Sequence, residues 1–218
     1  REDENLKTAE VYIPYNENIL TIEGNIDHPV SNIIIKNITF QYTTWRRPFL
    51  KGHVPLQAGF YLLDAYKLKI PGTPDKVSLE NQAWIGRQPA TVEVRYANNI
   101  TFEECVFRNL GATGLDLIVG VKNSTVKRCV FYDIAGTALQ IGEFPDIGFE
   151  THIPYDPLDK RTICSNIDVN NNYILNCANE DWGCVGIGAG YVSDIKISHN
   201  EVAHVYYSGI CVGWGWTK

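Results

Sequence analysis

The 218-residue chain has no methionine, and its first residues, REDENLK, are charged, so neither a start residue nor a secretion signal is visible. The sequence reads as a piece of a longer chain. Lys and Arg never run beyond two in succession, and 19 of them face 25 Asp and Glu for a formal charge of −6. A nucleic-acid or anionic-membrane partner is therefore not expected. No stretch of eighteen apolar residues exists, so no segment reads as a membrane span. The six cysteines never form a CxxC pair and the five histidines are scattered, which argues against a zinc cage. The cysteines read as buried free thiols in preference to a disulfide framework.

What is present is self-similarity. NITFEECVFRNLGATGLDLIVG (99–120) is followed by NSTVKRCVFYDIAGTALQIGE (123–143), NIDVNNNYILNCANEDWGCVGIGAG (166–190) and SDIKISHNEVAHVYYSGICVGWG (193–215). A weaker copy starts at Asn32 and resumes in ATVEVRY (90–96). Cys105 and Cys129 lie 24 residues apart, and Asn172 and Asn200 lie 28 apart. That period is too short for a folded unit and suits one turn of a solenoid. Each copy alternates β-branched and aromatic residues between Gly, Asn and Asp, which is strand chemistry. Helical periodicity is confined to GFYLLDAYKL (59–68).

The expected fold is all-β: a right-handed parallel β-helix of about five coils, one domain over 1–218, with long insertions at about 46–88 and 144–165 and a short one at ANEDWG (178–183). The inward set is Ile100, Phe102, Phe107, Leu115 and Leu117, then Val126, Phe131, Leu139 and Ile141. A corner column reads Ile38, Cys105, Cys129, Asn172, Asn200, in which stacked Asn amides would satisfy one another. The Asn-X-Thr triplets at Asn37, Asn99 and Asn123 fall at coil turns.

All three insertions attach beside the Gly-bounded strand, so they would wall a groove over it. With Leu115 and Leu117 inward, the two-residue period sends Asp116 outward, in a column reading Thr21, Glu93, Asp116, Gln140, Gly186, Cys211. The loops add Glu143, Glu150, His152, Asp156, Asp159, Glu180 and Asp181, with Trp84, Arg87, Tyr155, Trp182, Trp214 and Trp216. Carboxylates and Trp without a basic patch suit a sugar ligand. Glycoside cleavage needs two carboxyl groups about 5–5.5 Å or roughly 6.5–9.5 Å apart. Glu93 lies one coil from Asp116, about 4.8 Å away. The catalytic candidates are Asp116 with Asp181, Asp156 or Glu180. The sugar-binding candidates are Trp182, Trp84, Arg87, Glu150, His152, Tyr155, Gln140, Trp214 and Trp216. No metal site or cofactor is expected, with ETHIPYDPLDKR as an alternative calcium-holding loop.

The strings LTIEG, NITFQYTTWRRP, HVPLQAGFYLLDAYKL, LENQAWIGRQPATVEV, GATGLDL, FETHIPYDP, NEDWGCVGIGAGY and SGICVGWGW resemble β-helix glycosidases of glycoside hydrolase family 141, which share a pectate-lyase-like solenoid. The resemblance runs through almost the whole chain. It implies a secreted or periplasmic bacterial enzyme acting on a plant cell-wall glycan, of α-L-fucosidase or xylanase type, with acids on the β-helix groove as catalysts. Asp116 in GATGLDL is the first residue it carries over; Asp156 and Asp181 stay open as its partner. A polysaccharide lyase and a non-catalytic carbohydrate-binding β-helix are the alternatives, and the oligomeric state is left open.

Overall fold

A computed structural model describes residues 5, 7–46, 54–55, 57–63, 84–143 and 157–213. Three parallel sheets run along one axis. Sheet A holds β1 (Leu20–Glu23), β7 (Ala90–Arg95), β10 (Thr113–Val119), β13 (Leu139–Ile141), β16 (Val185–Ala189) and β19 (Ser208–Val212). Sheet B holds β2 (Val30–Lys36), β8 (Ala97–Glu103), β11 (Lys122–Lys127), β14 (Cys164–Asn170) and β17 (Val192–Ser198). Sheet C holds β3 (Thr39–Gln41), β9 (Val106–Leu110), β12 (Val130–Ile134), β15 (Tyr173–Cys177) and β18 (Glu201–Ala203). The chain visits A, B and C in turn, so each pass is one coil of a parallel β-helix. Five passes are complete, and β19 begins a sixth.

Backbone chirality explains the composition of the turns. Each coil places at least three residues in the left-handed region, five residues apart: Asn32, Asn37, Tyr42; Asn99, Glu104, Asn109; Asn123, Arg128, Asp133; Asn166, Asn171, Asn176; Asp194, His199, His204. Asn and Asp hold that conformation at lower cost than other side-chain-bearing residues. The Asn of each Asn-X-Thr triplet occupies one of these positions. Amides also link coil to coil, from Asn99 Nδ2 to Asn32 Oδ1 (2.7 Å) and from Asn166 Nδ2 to Asn123 Oδ1 (2.6 Å).

The whole expected inward set is buried in one continuous core. Phe40, Phe107 and Phe131 stack down its axis, with centroids 5.0 and 4.7 Å apart. Cys105, Cys129, Cys164 and Cys177 are buried free thiols in the same core. Burial pushes the Cys164 and Cys177 thiols up to about 12, so they stay neutral small apolar groups.

The corner column is present with the expected membership. Asn172 Oδ1 accepts from the Cys129 N–H (2.9 Å), and its Nδ2 donates to the Val126 carbonyl and to Asn200 Oδ1 (both 2.9 Å). Asn200 Nδ2 continues the ladder to the Val169 carbonyl (2.9 Å). Asn172→Leu strands a buried N–H and a buried carbonyl and is expected to cost about 2–3 kcal/mol. Urea unfolding checks this. A loss below about 0.5 kcal/mol would reduce Asn172 to an ordinary turn residue.

The first insertion forms a small antiparallel sheet of β4 (Val54–Pro55), β5 (Phe60–Leu63) and β6 (Trp84–Arg87). Within GFYLLDAYKL, Phe60–Leu63 is therefore strand, paired with β6 across its length, and the weak helical period there is overridden. Of the second insertion, residues 144–156 lie outside the described part; the rest ends in a single 3-10 turn at Lys160–Thr162, capped by Asp159. Among the described residues no helix is long and apolar enough to cross a membrane.

Candidate active site

The outward column of sheet A reads Thr21, Glu93, Asp116, Gln140, Gly188, Cys211. The expected Gly186 is corrected to Gly188. Ile187 pairs with both Leu139 and Ile210, which sets the register, and Gly186, the second residue of β16, lies between the register pairs Val185–Ser208 and Ile187–Ile210. A Cβ on Gly186 would meet core atoms, Val202 Cγ1 at 2.8 Å and Ile174 Cγ2 at 3.5 Å, so that residue faces inward. Gly188 lies under the Gln140 side chain, whose Oε1 would be 2.4 Å from a Cβ there.

Asp116 points away from the core, as its register with Leu115 and Leu117 requires. The insertion does more than wall the strand, however: it lies across it. Asp116 is 1 % exposed and Gln140 4 %. The cause is Arg87, the last residue of β6. Its Nε donates to Asp116 Oδ2 (2.6 Å), its Nη2 to Asp116 Oδ1 (2.5 Å), and its Nη1 to the Gly142 carbonyl (2.9 Å). The Phe60 ring backs the guanidinium, 5.9 Å from centroid to carbon. Burial opposes the Arg87 charge, and the facing Asp116 carboxylate more than restores it, with Glu143 acting in the same sense. Arg87, expected to bind sugar, therefore spends these donors on coil three and coil four.

The next residue repeats the arrangement on the second predicted acid. Gln88 Nε2 donates to Asp181 Oδ2 (2.5 Å) and contacts Cys184 Sγ (3.1 Å). Asp181 is 2 % exposed. The loop carrying it is fixed by its own backbone, since the Glu180 and Asp181 N–H groups both donate to the Ala135 carbonyl and Gly59 N–H donates to the Gly183 carbonyl (3.3 Å). Consecutive residues of the insertion thus grip two carboxylates from different coils. The cluster also holds unpaired buried polar atoms: Gln88 Oε1 and both amide atoms of Gln140 find no partner among the described residues. Buried amides of this kind are groups that a ligand hydroxyl or an ordered water satisfies.

Glu93 is the register neighbour of Asp116, half-buried, with Arg95 Nη2 at 3.4 Å from its Oε2. Trp182 is 58 % exposed beside Asp181. Glu180 is exposed and turns to a different cleft. Glu150, His152, Tyr155, Asp156, Trp214 and Trp216 lie outside the described residues, as does the Trp84 side chain. Sequence reasoning missed Gln88, although its place beside Arg87 in GRQP, just before a strand, was the available signal. Among the described residues no three His, Cys, Asp or Glu side chains converge as a metal site.

Comparison with known proteins agrees with this architecture. A solved structure named "Glycoside hydrolase" superposes with a TM-score of 0.89 at 48 % identity, covering 99 % of this chain and 37 % of that one. The chain therefore spans little more than a third of that relative's length. No curated protein matches it in sequence. A family model described as "Right handed beta helix region" matches residues 28–217, most of the chain and all but the first strand of its five coils, and with it the hand of the solenoid follows: this chain belongs to the right-handed β-helix family.

Proposed function

We propose that the chain is the β-helix part of a glycoside hydrolase that cleaves a plant cell-wall polysaccharide, of α-L-fucosidase or xylanase type, outside the cytoplasm of a bacterium. The observation that carries this is the pair of buried carboxylates, Asp116 and Asp181, held by Arg87 and Gln88 next to the unpaired Gln140 amide. The relative named as a glycoside hydrolase supports the reaction class. Asp116, facing a guanidinium, is suited to carry negative charge against an oxocarbenium-like centre, with Asp181, which accepts from Gln88, as the second carboxyl group. The exposed Trp182 supplies an apolar face for a sugar ring. No cofactor is required by this chemistry.

The test is sugar release from fucosylated and xylan oligosaccharides by the chain and by its Asp116→Asn variant. Release is expected to fall roughly 10³-fold in the variant. A second reading, a non-catalytic carbohydrate-binding β-helix, is favoured by the near-complete enclosure of both acids. It predicts oligosaccharide binding without turnover. Appearance of an unsaturated uronate product would instead identify a lyase.

A further inference from the structure

A second site lies outside the sheet A face, at the turns that lead from sheet C towards sheet A. There a cleft of about 540 Å³ is lined by Tyr42, Trp45, Asn109, Asp133, Asn179 and Glu180, among others. Its size falls in the range of small-molecule sites, roughly 300–1,000 Å³. Asp133 is clamped between two amides: Asn109 Nδ2 donates to its Oδ2 (2.7 Å) and Asn179 Nδ2 to its Oδ1 (2.8 Å). That network fixes how both amides point, with one N–H of each given to Asp133 and a second from Asn179 to the Asn176 carbonyl (3.4 Å). Among the described residues neither Asn Oδ1 accepts a hydrogen bond.

The wall therefore offers both amide oxygens as acceptors and a second Asn109 N–H as a donor, which suits a ligand whose groups both donate and accept. Among the described residues no Lys, Arg or His lines the cleft, and the Asp133 carboxylate repels an anion. A cation is disfavoured as well, because both Asp133 oxygens already take an N–H and no third ligating side chain joins them among the described residues. Hydroxyl groups on an uncharged ring meet these demands. The aromatic groups are held rigidly: Tyr42 stacks on Tyr12 (4.6 Å, 9°), and Trp45 meets Tyr61 edge to face (5.1 Å). Trp45 is buried and closes the wall, while half-buried Tyr42 leaves apolar ring surface beside the fixed amides for the C–H groups of a sugar.

We infer that this cleft is a second carbohydrate-binding site, separate from the Asp116 face, which takes a neutral saccharide unit and rejects uronates. The inference does not depend on where, or whether, hydrolysis occurs. Titration of the chain with xylotetraose and with tetragalacturonate, followed by calorimetry and by the side-chain amide resonances of Asn109 and Asn179, tests it. Xylotetraose is expected to bind and to shift those resonances, and tetragalacturonate to bind at least about 10-fold more weakly. Asn109→Gly keeps the backbone comfortable, since Asn109 sits at φ 53°, and removes the amide; it is expected to weaken xylotetraose about 10-fold or more. Thr44→Arg, which fills the cleft from its rim, is expected to abolish binding. No binding of xylotetraose, equal binding of the uronate, indifference to both variants, or occupation of the site by Ca²⁺ reversed by a chelator would each overturn the proposal. Failure of the glycosidase reading shows in sugar release, and failure here in the Asn109 amide resonance and in the indifference of binding to Asn109→Gly and Thr44→Arg.

Discussion

Arg87→Leu is expected to destabilise the fold by about 3–5 kcal/mol, because it leaves the Asp116 carboxylate 1 % exposed with no cation opposite. For a chain of this length that corresponds to a fall in Tm of roughly 6–20 °C. Asp116→Leu is expected to cost a similar amount by leaving the guanidinium uncompensated. The double variant removes both charges and fills the space with apolar atoms, so most of the loss should be recovered. The cycle also separates two roles for Asp116. If it is catalytic, the double variant folds and releases no sugar; if it only pins the insertion, activity returns with stability. Additive losses, with no recovery in the double variant, would mean that the 2.5 and 2.6 Å contacts carry little coupling.

The pinning has a geometric consequence for the site. The insertion leaves the helix after coil one and returns at Ala90, yet Arg87 reaches Gly142 in coil four, and Gln88 and Gly59 reach the loop before β16. It is a strap laid along the solenoid. In a fold whose repeats contact only their neighbours, such a strap ties together coils that otherwise are linked only through the coils between them. Its described residues also cover Asp116, so under the proposed function a substrate enters between strap and sheet.

The repeat made the solenoid legible because a core residue recurs in every coil, and one misplaced copy cannot hide the rest. Phe107, Phe131, Leu115 and Leu139 could be assigned inward from alternation alone. The one register error fell at Gly186, where a glycine gives no sign of its face and its position over core atoms next to the inward Ile187 breaks the two-residue period. The five-residue spacing of left-handed positions was half concealed, since Tyr42, Glu104 and Arg128 stand where other coils use Asn or Asp.

The site was legible only as a set of acids. Asp116 could be turned outward by pattern, but its partner lies 29 residues away across an insertion whose path no local rule dictates. Asp181 was identifiable as a loop acid. That Gln88 would hold it, 93 residues distant, depends on how the strap crosses the coils.

Phe107→Ala is expected to cost about 3–5 kcal/mol, the other large effect in the molecule. Phe107 is 0 % exposed and touches aromatic rings on three sides: Phe40 and Phe131 stacked at 5.0 and 4.7 Å, and Phe102 tilted at 6.4 Å. Truncation removes the transfer energy of the ring and opens a cavity between coils one and three. The parallel backbones above and below, tied by their own ladder hydrogen bonds, cannot collapse into it. Phe40→Ala, at 5 % exposure and with one stacked neighbour, removes the same atoms from the end of the column and should cost less. Phe107→Leu retains most of the volume and should cost under about 1.5 kcal/mol. Chemical denaturation of the three variants gives the order. A larger loss for Phe40→Ala than for Phe107→Ala would show that the inter-coil stack is not what holds the central coils together.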